Sequence, residues 1–210
     1  MQRERSVVAP IERVEWEREL PSVSAVRPAS CTGCARASRP VGGALRLHGH
    51  GTRTRDRWGP PTRGVKAEVG ELRVRRYRCV DCHAITTVVP RGLLRRHLYL
   101  PGAIAVALAL WADAMPASAV RTRLSPWTIR GHSARGWRSL RRWTDRPPWP
   151  IPALPTDRRA RAARVAGWLA AHATSSAATL DLPALAFDGA QRARGRDPPA
   201  DTRIRSHHPG

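Results

Sequence analysis

Cys31-Thr32-Gly33-Cys34 and Cys79-Val80-Asp81-Cys82 hold every cysteine of the 210-residue chain, as two pairs of identical C-x-x-C spacing. A two-residue turn lets both thiolates, and the backbone amides between them, converge on one ion, and two such knuckles complete a tetrahedral site with Zn–S near ~2.3 Å. The spacing therefore predicts one structural Zn2+ held by Cys31, Cys34, Cys79 and Cys82. A site closed by four thiolates has no open coordination position and does no chemistry; it stabilises a small β module with too little core of its own. A thioredoxin-type redox pair is the alternative, but no βαβ pattern surrounds either motif. His83 beside Cys82, and His48 and His50 between the pairs, are further residues able to ligate. The 44 residues separating the pairs exceed the roughly 15 to 20 of the compact pattern, which an inserted hairpin or loop over 48–64 explains.

The elements that must position these residues follow from patterning. Residues 29–98 read as a zinc-ribbon β module, with alternation at Leu72 and Val74, again at Tyr77 and Cys79, and a β-branched run from Ile85 stopped by Pro90. Residues 99–146 read as a helix-turn-helix-like region. Its first helix, over 102–114, is apolar nearly all round and must be covered on most sides; the second, over 117–124, stops at Ser125-Pro126. Ser133 is a natural N-cap for a third, which places Trp137, Leu140 and Thr144 on one side, Arg135, Arg138 and Arg142 on the other, and Arg141 on the flank. The connection over 125–132 is longer than the three or four residues usual in that motif. Residues 147–156 form a Pro-rich extended linker, and 157–190 a C-terminal helical segment with Val165, Trp168, Leu169 and His172 as its apolar stripe. Residues 191–210 read as a disordered basic tail and 1–28 as a charged segment in which Ile11 and Val14 allow a helical turn. The expected class is α+β: a small zinc-ribbon β module followed by a helix-turn-helix-like region and a disordered tail.

Thirty-seven Lys and Arg against 16 Asp and Glu leave a net charge of +21, so a polyanion is the default partner. Lys66 is the only lysine and asparagine is absent, a bias that inflates arginine; only arginines gathered on one face count as evidence. Arg135, Arg138 and Arg142 meet that standard and, with Arg141 on their flank, could contact phosphates or guanine in a major groove, with a solvated face as the plain alternative. Arg73, Arg75, Arg76 and Arg78 on the ribbon strand would hold phosphates. The longest apolar stretch, 103–112, falls short of the roughly 18 to 20 residues that span a bilayer, and Glu12, Glu15, Glu17 and Glu19 exclude a signal-peptide core. A cytoplasmic, nucleoid-associated protein without membrane contact is expected, in which cysteines serve as metal ligands rather than disulfides.

The order of a C-x-x-C knuckle, His48-Gly49-His50-Gly51, a basic strand into the second knuckle, Thr87-Val88-Val89-Pro90 and a helical region ending in Ser139-Leu140-Arg141-Arg142-Trp143 resembles the zinc-binding N-terminal region of bacterial insertion-sequence transposases. It also resembles the stand-alone bacterial proteins related to that region, which Ala186-Phe187-Asp188-Gly189-Ala190 fits. The resemblance spans 29–190 and implies a structural zinc and binding to double-stranded DNA. Thr32 stands where such knuckles often carry proline, and Ala35 and His83 where glycine usually follows. The residues after Trp143 leave no room for an RNase H-like domain, and Asp145, Asp157, Asp181 and Asp188 read as linker or helix-end residues, so no catalytic group and no enzyme activity are expected. Alternatives are an accessory subunit or truncated remnant working with a separate transposase catalytic chain, and an RNA-binding ribbon. A protein-interaction module presenting Trp127, Trp137, Trp143 and Trp149 is another. Homodimerisation through the apolar stripe of 157–174 is compatible with the sequence.

Overall fold

The computed structural model describes residues 5–94, 97–125, 137–174 and 180–193. Strands β1 (Arg5–Glu12), β2 (Leu47–Gly59), β3 (Glu68–Cys79) and β4 (Ile85–Arg91) form one sheet in the order β1-β4-β3-β2. Six helices complete the described residues: α1 (Arg13–Arg18), α2 (Pro101–Ala112), α3 (Ala117–Leu124), α4 (Arg138–Asp145), α5 (Arg158–Ala170) and α6 (Leu182–Arg192). The fold is α+β with a cysteine cluster at one end of the sheet.

β2 and β3 make a long antiparallel hairpin, paired from Leu47 opposite Cys79 to Gly59 opposite Glu68 with one register shift between Gly49 and Thr52. That is a strand run of roughly 40 Å at about 3.3 Å per residue. The stretch 48–64 is thus mostly strand and the start of its turn. One end of the hairpin carries the second cysteine pair; the other meets the helices, where Trp58 N–H donates to the Leu98 carbonyl (2.8 Å) and Leu100 N–H to the Trp58 carbonyl (2.9 Å). β3 is buried at Leu72 and Val74 in its helix-facing half and at Tyr77 and Cys79 in its cysteine half. Alternation puts these pairs on opposite faces, so a twisted strand is covered on one side at each end. Residues 21–26 cover Tyr77, whose hydroxyl donates to the Val23 carbonyl (2.7 Å).

The N-terminal segment has a structural role that its charge conceals. β1 joins β4 in parallel as an edge strand, and its register shifts between Val8 and Glu12, around Pro10. At an edge, proline sacrifices no ladder hydrogen bond. Trp16 of α1 is 1% exposed and its Nε1–H donates to the Arg73 carbonyl (2.8 Å). Arg13, also buried, donates to the Pro61 carbonyl (2.7 Å) and pairs with Glu17 (2.6 Å), which in turn pairs with Arg57 (2.7 Å). Glu17 is therefore a partner for a hairpin arginine, and Glu12 lies 3.7 Å from Arg91 of β4.

α2 is covered as its composition requires: α5 and α6 pack along it and against each other, α3 and α4 also pack on it, and α4 touches α5. This grouping differs from a three-helix unit of α2, α3 and α4, because α5 and α6 supply most of the cover. Gly189 of α6 sits so near α5 that a Cβ there would lie 1.8 Å from the Leu169 carbonyl oxygen. Asp188 is inside α6, not at a helix end, and Asp181 caps it through Ala184 N–H (2.9 Å). The proline-rich stretch 147–156 is extended but packed, with Trp149 and Ile151 buried. Val165 and Leu169 of α5 are buried within the chain, while Trp168 of the same stripe is half-buried and His172 exposed. Gln191 and Arg192 belong to α6, and the tail from 194 lies outside the described residues.

Candidate metal centre and basic surfaces

Cys31 and Cys34 lie on a tight turn closed by a bridge between Ser30 and Ala37, and Cys79 and Cys82 on the turn between β3 and β4. The two turns repeat one hydrogen-bond pattern. Cys31 N–H donates to the Arg36 carbonyl (2.9 Å) and Ala35 N–H to the Cys31 carbonyl (2.9 Å); Cys79 N–H donates to the Ala84 carbonyl (3.1 Å) and His83 N–H to the Cys79 carbonyl (3.1 Å). The residue after each second cysteine is left-handed, Ala35 at φ 60° and His83 at φ 57°. Glycine takes that conformation freely, whereas a side chain there costs about 1 kcal/mol.

All four sulfurs lie within 4.8 Å of one another. Cys31 Sγ is 3.5 Å from Cys82 Sγ and Cys34 Sγ 3.9 Å from Cys79 Sγ. A tetrahedral ion with metal–sulfur bonds near 2.3 Å requires sulfur–sulfur edges of about 3.8 Å, so the cage has the size of one such ion. Gly33 is required here: a Cβ would meet Ala84 Cβ at 2.6 Å and Cys82 Sγ at 3.0 Å. Its N–H points at Cys31 Sγ (3.2 Å). Backbone N–H groups also face the other sulfurs, Arg36 toward Cys34, Asp81 and Cys82 toward Cys79, and Ala84 toward Cys82. Without a cation, desolvation and the crowding of neighbouring sulfurs push the Cys82 thiol up to about 12, although the residue as a whole is exposed. Desolvation also raises Cys34, while in Cys79 the opposing hydrogen bonds outweigh desolvation and lower it. A bound dication reverses this, since coordinating thiols are deprotonated outright.

Asp81, inside the second motif, ties the two turns together: Arg46 Nη1 donates to both of its carboxylate oxygens (2.8 and 3.0 Å), and Arg36 lies 3.4 Å away. The Arg46 hydrogen bond holds its carboxyl below the usual range. Thr32 Oγ1 contacts Thr86 Oγ1 (2.7 Å), anchoring the first turn to β4. Among the described residues no histidine joins the cysteines; His48 Nε2 donates instead to the Leu45 carbonyl (2.9 Å).

The chain matches no family model, no curated protein and no solved structure. Its chemistry therefore rests on the geometry alone.

The ribbon-strand arginines do not form a single stripe. By alternation Arg73 and Arg75 share the face of Tyr77, where Arg75 Nε donates to the Pro21 carbonyl (2.8 Å). Arg76 and Arg78 lie on the opposite face, which Arg53, paired in register with Val74, also shares. On α4 the separation is clean: Leu140, Trp143 and Thr144 are buried, while Arg138, Arg141 and Arg142 are exposed. This helix starts at Arg138, with extended Trp137 in the N-cap position; Trp127, Ser133 and Arg135 lie outside the described residues. Trp137 and Trp143 pack edge-to-face with each other (4.9 Å between ring centroids) and with Tyr99 (5.5 and 5.0 Å). Tyr99 also meets Trp58 at 5.4 Å and Ser125 through its hydroxyl (2.9 Å). Trp137, Trp143 and Trp149 are therefore core residues, and the tryptophan-presenting surface expected of an interaction module is absent at these three positions.

Sequence reasoning missed the charged joint between α4 and α5. Asp145, the last residue of α4, accepts from Arg158 Nε (2.9 Å) and Nη2 (3.2 Å), with Arg161 at 3.5 Å. Its carboxyl is held low, chiefly by the Arg158 hydrogen bond. Only the pairing of helices that are 13 residues apart brings these groups together, and no local spacing announces it.

Proposed function

We propose that this protein is a zinc-stabilised binder of double-stranded DNA, of the kind found in transposase DNA-binding regions. Four thiolates in a closed cage of tetrahedral size favour zinc, with iron the competing occupant of a four-sulfur site. Cys31, Cys34, Cys79 and Cys82 would hold the ion, which would fix the cysteine end of the hairpin and the two turns. The observation that carries the DNA reading is α4. Its inner face is locked by Leu140, Trp143 and Thr144, and its outer face presents Arg138, Arg141 and Arg142. The side chains of Arg138 and Arg142 have no hydrogen-bond or ion-pair partner among the described residues, which would leave their guanidinium groups for phosphates or guanine edges. A rigid helix with this division is what a groove-binding element needs, and the resemblance to transposase regions points the same way. Phosphate contacts from Arg76 and Arg78, on one face of β3, would add to it.

Elemental analysis of the purified protein, followed by selection from random duplexes at about 150 mM salt, tests the reading. One zinc per chain and an enriched duplex motif are expected, and changing Arg138, Arg141 and Arg142 together to alanine should remove the preference without changing the zinc content. Zinc with no enriched motif would overturn the sequence-specific reading and turn the search to RNA. A coloured, iron-containing protein would overturn the metal assignment.

A further inference from the structure

We infer that α4 and α5 together form one phosphate-binding face, on which Arg158 and Arg164 of α5 continue the row begun by the α4 arginines. The inference rests on the duplex-DNA reading and extends it to a helix whose sequence signals only packing.

Asp145 is the joint. At about 100° per residue it falls on the exposed side of α4, between Arg141 and Arg138. Arg158 grips it with Nε and Nη2, one edge of the guanidinium, which leaves the Nη1 donors for a second anion. Arg161, half-buried, completes the joint from the next turn and also donates through Nε to the Pro155 carbonyl. Arg164 lies three residues beyond Arg161, at the next step of the i, i+3 row and turned about 60° further from the buried stripe, exposed and without a partner among the described residues. Arg159, by contrast, points toward α2, its guanidinium 5.7 Å from the centre of the Trp111 ring.

The charge balance identifies the occupant. Two carboxylates stand on this face, and both are engaged: Asp145 with Arg158 and Arg161, and Asp157 as the cap of α5 through Ala160 N–H (2.8 Å). The remaining surface is cationic, and planar guanidinium groups on packed helices suit phosphates in fixed positions. Among the described residues, none of the exposed large hydrophobic side chains belongs to α4 or α5, so these two helices present charge rather than apolar side chains to a partner. A duplex backbone fits such a face.

The test measures affinity of the full-length, metal-loaded protein for a random-sequence duplex between about 50 and 200 mM salt. Arg158→Ala with Arg164→Ala should make the slope of log affinity against log salt shallower by roughly 2, since each lost phosphate contact removes about 0.9. Arg159→Ala, which removes an exposed charge from the side of α5 turned toward Trp111, should leave it unchanged. Arg164→Glu, which disturbs no ion pair, should weaken binding further than Arg164→Ala. If the Arg158/Arg164 variant keeps the wild-type slope while Arg141→Ala with Arg142→Ala lowers it, the face ends on α4 and the inference is wrong. A wild-type protein that binds no duplex overturns the duplex reading itself, and this inference with it.

Discussion

The metal centre is a matter of four sulfur atoms and the protons they must lose. The Cys34 and Cys82 thiols are raised in the metal-free protein, Cys82 to about 12, so both are protonated at neutral pH. A metal binds thiolates, and its uptake therefore expels both protons; affinity rises with pH, by up to about tenfold per pH unit for each proton released. Competition against a chromophoric chelator at two pH values near neutrality should show this increase, and a pH-independent affinity would contradict four-thiolate ligation. This site was largely legible from the sequence because ligand spacing within each knuckle is local, and Ala35 and His83 are left-handed at the positions where glycine is usual. What was hidden is the support around it. Asp81 meets Arg46 across 35 residues, and Gly33 is needed because Ala84 and Cys82 approach it from the other turn.

Among the elements, α4 owes its orientation to aromatic packing. Trp143 is 1% exposed and joins Tyr99 and Trp137 in an edge-to-face cluster that also reaches the tip of the hairpin through Trp58. Trp143→Ala should cost about 3 to 5 kcal/mol in a denaturant melt, whereas Arg142→Ala on the exposed side should change stability by less than about 0.5 kcal/mol. Comparable losses at both positions would mean that α4 does not divide into a core face and a free face. The helices over 101–112 and 117–124 were readable because apolar composition and the Ser125-Pro126 stop are local signals. β1 was not, since Pro10 and the glutamates around it suggest an irregular, solvated segment until β4 supplies an edge to pair with. Likewise the prolines of 147–156 predict an extended chain correctly but say nothing about Trp149, which only the assembled core buries.

At the scale of the whole molecule, the β2–β3 hairpin joins two tasks. Its upper end is fixed by the cysteine cage, its lower end by Trp58 against the 98–100 segment, and the N-terminal strand and helix brace it from the side. The helices beyond carry the exposed arginines of α4 and α5, so the proposed binding face belongs to a body held at both ends rather than to a loose basic tail. The α+β class and the order of the two halves follow from the sequence; the gathering of α5 and α6 around α2 does not, because it depends on contacts between distant helices. The net charge of +21 sets the expectation for the assembled protein: if six or more phosphates are engaged, affinity for a duplex falls by about 10³-fold or more between about 50 and 200 mM salt. Measuring that dependence on the zinc-loaded, full-length protein is the most direct test. A steep loss of binding is the predicted result, and a shallow salt dependence or no duplex binding at low salt would contradict the account.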